Sequence, residues 1–293
     1  MTTNTDLKGK SVVITGATSG IGFEAAMQFA QQGSFVIGIG RSVKKNLDAV
    51  EKIRNAYPEG QIEYLLADLA QQKQVQAVSG VISSVLVEHG FSNLDVLINN
   101  AGVYLERKQM TEDGIEMTFA VNHLAPFLMT HELSPLLKCS KHPRVLTVSS
   151  YSHRNTPLSL NRIANPRPYV SLLAYKRSKL CNVLFSYELN RRSEAILALA
   201  VDPGLVNTAI AEKSGHGISA WVWRRRRLKG TSADLPVKTL LYLAGEHQVD
   251  TSQSCYYRDC QPITPSRIAT SEELAGELWT LSSQLTGITS SIN

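Results

Sequence analysis

Within its first thirty or so residues the chain runs from an apolar segment, Val12-Val13-Ile14-Thr15, into the turn Gly16-Ala17-Thr18-Ser19-Gly20-Ile21-Gly22, and then into a helix-like stretch, Phe23 to Ala30. This unit limits what the chain can become more than any other feature. A short apolar run after a polar lead reads as a buried strand, and the following stretch has the composition and spacing of a helix that Gly33 can close. Glycines between a strand and a helix let the backbone pass close to a pyrophosphate, which the unpaired amides at the helix start can hold. Ordinary turns also use glycine, so the cluster counts for what its strand–helix context adds.

The same alternation continues. Phe35–Gly40 reads as a second strand, Val43–Ala56 as a polar helix, Ile62–Ala67 as a third strand and Val75–Glu88 as a helix. Leu94–Asn99 is the fourth strand, Phe119–Leu137 an apolar helix bent at Pro126, and Arg144–Ser149 the fifth strand. Leu173–Arg192 is a long helix and Ile196–Val201 a sixth strand. Repeated βαβ units predict an α/β fold, a doubly wound parallel sheet with helices on both faces. Ligands of such sheets bind beyond the carboxyl ends of the strands, where the informative motifs fall. The length of 293 residues suggests two domains, but the pattern favours one domain spanning 1–293. Insertions are expected at 151–170 and at about 211–235, the second as a lid over the substrate.

Composition excludes several classes. With 43% hydrophobic and 19% charged residues the chain is too apolar to be disordered. No run approaches the ~18 apolar residues of a membrane span, and the opening residues lack the apolar core of a signal peptide. Cys139, Cys181, Cys255 and Cys260 are too scattered for a disulfide scaffold, which predicts a reducing, cytoplasmic setting. The net charge of +5 is largely accounted for by Arg224–Arg227, so no nucleic-acid partner is expected. Cys255 and Cys260 lack further ligands at metal spacing, and no metal is expected. His123, His131, His142 and His153 form no ligand pattern; His153, close to Ser150, could line a substrate cleft.

At the end of the second strand an NAD site usually carries an acid for the ribose 2′-hydroxyl. Here Gly40 takes that place, followed by Arg41, Lys44 and Lys45, which suits a 2′-phosphate and predicts NADP over NAD. A solvated basic turn is the plainer alternative. Asp68, with Leu69, ends the third strand and could meet the adenine edge, or simply shape a turn. Asn99-Asn100-Ala101-Gly102 ends the fourth strand with small residues that would admit a cofactor.

Tyr175 and Lys179 are four apart, on one face of a helix and about 6 Å along its axis. A phenol titrates near 10; a neighbouring ammonium, plus an oxidised nicotinamide, favours the phenolate, so that the tyrosine can exchange a proton with a carbonyl or alcohol oxygen. A rival pair, Tyr169 and Lys176, is seven apart, with Pro166 and Pro168 marking a loop around Tyr169.

These motifs, in this order, resemble the short-chain dehydrogenase/reductase superfamily over roughly residues 8–208. The resemblance implies a Rossmann-type fold and a quartet of Asn122 (in Phe119-Ala120-Val121-Asn122-His123), Ser150, Tyr175 and Lys179. Ser150 and Tyr175 stand 25 residues apart, a longer interval than in many members and similar to the retinol-dehydrogenase branch. That branch is also resembled by Tyr257-Arg258-Asp259-Cys260, by Leu278-Trp279 and by Leu285-Thr286-Gly287-Ile288. Many retinol dehydrogenases begin with a membrane anchor, which this chain does not show.

By the same resemblance, Gly16, Ser19, Gly20, Ile21, Gly22, Arg41, Asp68, Leu69, Asn100, Ala101 and Gly102 would hold the dinucleotide, together with Tyr175 and Lys179. Pro203, Gly204, Val206 and Thr208 would meet its nicotinamide end. Tyr175 would move the proton, Ser150 would hydrogen-bond the substrate oxygen, Lys179 would hold the ribose and tune Tyr175, and Asn122 would position a water leading to Lys179. The implied activity is NADP(H)-dependent interconversion of a carbonyl and an alcohol on an apolar small molecule such as a retinoid, steroid or lipid aldehyde. A non-catalytic NADP(H)-binding regulator is the alternative. A homodimer is a common arrangement in the family. Trp221-Val222-Trp223 beside Arg224–Arg227 reads as a lid, as a dock on anionic membrane, or as a solvated basic loop.

Overall fold

The apolar runs become the strands of a single eight-stranded sheet ordered β3-β2-β1-β4-β5-β6-β7-β8. The structure is a computed structural model that describes residues 6–204, 234–289 and 292. Its elements in chain order are β1 (Ser11–Thr15), α1 (Gly20–Gln31), β2 (Phe35–Gly40), α2 (Val43–Ala56), β3 (Ile62–Leu66), α3 (Gln72–Glu88) and β4 (Val96–Asn99). Next come the short turn α4 (Met117–Phe119), α5 (Ala125–Lys138), β5 (Arg144–Val148), α6 (Ser171–Arg192) and β6 (Leu197–Val201). The described chain ends with α7 (Asp234–Gly245), β7 (Tyr256–Arg258), β8 (Gln261–Pro262) and α8 (Glu272–Thr286).

β1 through β7 pair in parallel, and only β8 turns back antiparallel on β7. Asp259 and Cys260, both at positive φ, make that tight reversal. The central strands are buried along their whole length because helices cover both faces. Side chains alternate accordingly: Val13, Ile37, Leu97 and Val145 join the core under α3, α5 and α6. Val12, Ile14, Val36 and Leu146 join the core under α1 and α7. The chain winds outward from β1 to β3, then crosses back to lay β4 against β1. That reversal opens a crevice at the carboxyl ends of β1 and β4.

The stretch expected as one helix over Phe119–Leu137 is divided. Glu116, buried, accepts hydrogen bonds from the Thr118 and Phe119 amides (2.9 Å each) and starts α4, and a wider π-type turn over Ala120–Leu124 follows before α5. Pro126 lies in the first turn of α5, where its missing N–H cannot bond the Asn122 carbonyl four residues back. The irregularity therefore sits at Asn122 rather than at the proline itself. The α8 tail docks through Trp279, whose ring meets Phe127 edge-on (4.9 Å between centroids) and stacks on Phe185 (6.0 Å). Among the described residues no helix is long and apolar enough to cross a membrane. All four cysteines are free thiols.

Candidate active site

The carboxyl ends of the strands open into one cavity of about 1400 Å³. At its first end the backbone does the shaping. Gly16 and Gly20 hold φ of +67° and +56°, conformations in which a side chain is strained. A Cβ on Gly22 would stand 2.4 Å from both the Gly16 carbonyl oxygen and Asn100 Nδ2, so helix α1 can approach β1 and β4 only with glycine there. Ser19 precedes α1 without capping it through its side chain, which leaves the first amides of the helix for an anion. Thr15 Oγ1 accepts from the Asn100 and Ala101 amides (3.0 Å each), and Asn100 Nδ2 donates to the Thr15 carbonyl (2.9 Å). Asn100 is thus a brace between β1 and β4 as well as part of the cavity wall.

A pyrophosphate-bearing dinucleotide fits these residues: the cradle is one that a Cβ would fill, and it faces an uncapped helix start. Farther out, Arg41 is exposed on the cavity rim. A Cβ on Gly40 would lie 2.1 Å from Asn46 Oδ1 and 2.5 Å from Thr18 Cγ2, so the place of the usual NAD carboxylate is filled. Asn46 is itself fixed there, donating to the Gly40 and Leu65 carbonyls (3.3 and 3.1 Å). Asp68 lines the cavity with Leu69, and its Oδ1 also accepts from the Ala70 amide (3.0 Å), which shapes the turn after β3.

At the middle of the cavity, α6 brings Tyr175 and Lys179 to one face, both buried. Lys179 Nζ lies 5.8 Å from the Tyr175 ring centroid and donates to the Val148 carbonyl at 2.9 Å. Gly102 is within reach of both Lys179 and Asn122: a Cβ there would be 3.6 Å from Nζ and 3.4 Å from Asn122 Oδ1. Ser150, just past β5, hydrogen-bonds Tyr175, and its Oγ accepts from Ser152 Oγ (3.0 Å). The Tyr104 ring meets Tyr175 edge-on at 5.7 Å.

Burial pushes the Tyr175 phenol up to about 12, opposed by the Ser150 hydrogen bond and reinforced by Asp202, whereas the expected fall counts on an oxidised nicotinamide beside the Lys179 ammonium. Burial draws Lys179 down to about 8. Desolvation leads both shifts because both groups are enclosed. The Asn122 side chain is committed to protein: it accepts from the Val103 amide (2.7 Å) and donates to the Val103 carbonyl (3.0 Å) and to Ser178 Oγ (2.9 Å). The carbonyl that Pro126 leaves without its helical donor is therefore the atom through which Asn122 would hold the expected water.

The rival pair separates. Tyr169 lies in the loop before α6, as its prolines predict, but its hydroxyl donates to the Leu105 carbonyl (2.9 Å) and it is not part of the cavity wall, whereas Lys176 is. His153 does not line the cleft; it is buried behind Ser150. Its Nδ1 meets the Ser150 carbonyl (2.8 Å), which can only accept, and its Nε2 meets the Ser266 amide (3.1 Å), which can only donate. Those partners require the neutral Nδ1–H tautomer, in keeping with burial lowering its pKa.

Pro203 and Gly204 line the cavity at the end of β6. Asp202, which the sequence reading passed over, orders that turn: its Oδ1 accepts from the Gly204 and Tyr151 amides (3.0 and 3.1 Å). Val206, Thr208, Trp221, Trp223 and Arg224–Arg227 lie outside the described residues, as does most of the expected lid over 211–235. Also missed were Thr15 and Asn46, and the cationic residues Arg154, Arg258 and Arg267 of the far wall. A hydroxyl directly before the glycine turn was a signal for Thr15, and Arg258 stood in the Tyr257–Cys260 stretch; the others come from positions with no motif.

Comparison with known proteins agrees with this geometry. A family model for short chain dehydrogenase matches residues 10–218. The chain is 34% identical over 290 residues to the WW domain-containing oxidoreductase of Gallus gallus, covering 96% of this chain and 69% of that protein. It is 35% identical over 289 residues to Retinol dehydrogenase 12 of Mus musculus, covering 98% and 89%. A crystal structure of an uncharacterized protein from Mycobacterium paratuberculosis superposes with a TM-score of 0.74 at 32% identity, covering 97% of this chain and 95% of that one.

Proposed function

Because the chain belongs to the short-chain dehydrogenase family and is a dehydrogenase/reductase, we propose that it interconverts a carbonyl and an alcohol on a small molecule with an apolar body, using NADP(H). The observation that carries this reading is the buried Tyr175–Lys179 pair, with Ser150 bonded to Tyr175, on the floor of the cavity that the glycine turn opens. NADP is favoured over NAD by Arg41 at the rim and by the closed space at Gly40. The names of the retinol dehydrogenase relatives support an apolar substrate. So do Leu105, Met117, Val121 and Leu172 in the cavity wall.

The nicotinamide cofactor, when bound, supplies or accepts the hydride. Gly16, Ser19, Gly20 and Ile21 would hold its phosphates, Arg41 its 2′-phosphate, and Asn100, Ala101, Gly102, Pro203 and Gly204 the nicotinamide half. Tyr175, pushed up to about 12, keeps its proton through neutral pH and is poised as the acid that protonates a carbonyl oxygen. Ser150 donates a second hydrogen bond to that oxygen as charge builds on it. The Lys179 ammonium stabilises the phenolate left behind. Asn122 acts through position, clamping the Val103 backbone against α6 through Ser178. The reverse reaction needs the phenolate, so alcohol oxidation should rise with pH where carbonyl reduction does not.

NADPH consumption against a panel of aldehydes and ketones tests the reading. Tyr175→Phe should lower kcat by about 10²–10⁴ while leaving NADPH affinity within about twofold. Turnover intact in that variant removes Tyr175 as proton donor; cofactor binding with no turnover of any carbonyl by the unmodified protein returns the non-catalytic regulator.

A further inference from the structure

The far wall of the cavity is charged in one sense. Arg154, Lys176, Arg258 and Arg267 all reach it, while the one carboxylate among its lining residues, Asp68, stands at the opposite, adenine end. Arg258 is spoken for: it lies 3.4 Å from Asp259 and 4.0 Å from the buried Asp202. Arg154, Lys176 and Arg267 make no ion pair among the described residues.

Arg154 is also held ready. It follows the short turn that Ser150 caps, its Nη2 donates to the Thr264 carbonyl, and its guanidinium carbon lies 5.0 Å above the Tyr151 ring. Its Nε is buried without a hydrogen-bond partner among the described residues. Arg267 sits in the same wall, beside the Ser266 amide that His153 ties to the Ser150 carbonyl. A half-buried guanidinium on the cavity wall, fixed in place and facing no carboxylate among the described residues, is arranged for an incoming anion. The dinucleotide phosphates do not account for it. They belong at the start of α1 above β1, whereas this wall rises from β5, with β4 between.

Resting on the oxidoreductase reading above, we propose that the carbonyl substrate carries a carboxylate or phosphate at the end remote from its reacting carbon, and that Arg154 and Arg267 receive it. Leu105, Met117, Val121 and Leu172, apolar residues of the same cavity, take the substrate's body. The substrate is then an amphiphile with a charged end, not a neutral lipid.

Calorimetry on the NADPH-loaded protein tests this with three probes of one chain length: octanoate, octyl phosphate and octan-1-ol. At least one anion should bind roughly tenfold or more tighter than the alcohol. Whichever anion gains identifies the natural end group. Arg267→Met, an exposed position, and Arg154→Met should each reduce that preference about threefold or more while octan-1-ol binding stays unchanged, which also reports an intact fold. Octan-1-ol binding as tightly as both anions, or a preference that survives both substitutions, overturns the proposal. Octanal reduction measured alongside separates the two readings. Turnover of octanal without anion preference overturns only the anionic end; anion preference with no turnover of any aldehyde overturns the assigned chemistry and keeps the anion site.

Discussion

The two ends of the cavity are made in different ways. Around β1 and β4 the walls are backbone, with glycines in positive φ, amides at a helix start and Thr15 tying adjacent chain segments together. Beyond β5 the walls are side chains drawn from far apart, such as Arg154 on the Thr264 carbonyl 110 residues away, braced from behind by His153 on Ser266 113 away. A surface made of backbone recognises what every dinucleotide shares and tolerates few substitutions. A surface made of side chains can be rewritten position by position. The difference places chemistry common to the family at one end and the choice of substrate at the other.

Lys179 stands where the two ends meet, and Lys179→Met should give the largest effect. Turnover should fall by about 10² or more. Stability should move the other way. The unfolded lysine keeps its proton to about pH 10.4, while the folded one loses it near 8. Below pH 8 the fold bears the full cost of an enclosed charge, and that cost fades as pH climbs toward 10. The variant should therefore gain roughly 2–3 kcal/mol in urea unfolding at pH 7 and much less at pH 10. Val148 does not lose its last donor, since Asn182 Nδ2 also reaches its carbonyl (3.3 Å). A loss of stability at pH 7 would contradict this account.

Gly22→Ala tests the backbone-built end. The added methyl meets a carbonyl oxygen at 2.4 Å, and the variant should lose roughly 1–3 kcal/mol and bind NADPH at least about tenfold more weakly. Gly80→Ala, exposed within α3 with nothing within 4 Å of the new atom, should instead gain about 0.5–1 kcal/mol. Equal effects at the two glycines would erase the contrast. The smallest effect belongs to Tyr169→Phe. Its phenol is bonded to Leu105 and stands outside the cavity wall, so kcat should stay within about twofold. A collapse of turnover would revive the Tyr169–Lys176 pair.

What the sequence could say follows the same division. α2 spans Val43–Ala56 and β2 Phe35–Gly40, as the patterning predicts, because local hydrophobic period and turn chemistry decide such elements. The backbone-built end was legible for the same reason, since Gly16, Gly20 and Gly22 announce their geometry by what they lack. The π-type turn at Asn122 was not foreseen, although Pro126 four residues on carried the signal. Strands β7 and β8 and helix α7 were not foreseen as elements, because their place depends on packing against β6 and α1 rather than on local pattern. Arg154 and Arg267 were invisible: nothing in either stretch of chain says that the fold will set both in one wall. For Tyr175, an i,i+4 spacing shows a neighbouring ammonium but not the loss of water around both groups, which leads the shift of each.

His153 has an engineering consequence. One imidazole moors the peptide carbonyl of Ser150 to the segment that carries Arg267. On the proposed roles of Ser150 and Arg267, selectivity and oxyanion contact share a single hinge pin, and any attempt to transplant a new specificity wall onto this scaffold has to carry the histidine and its two anchorages with it.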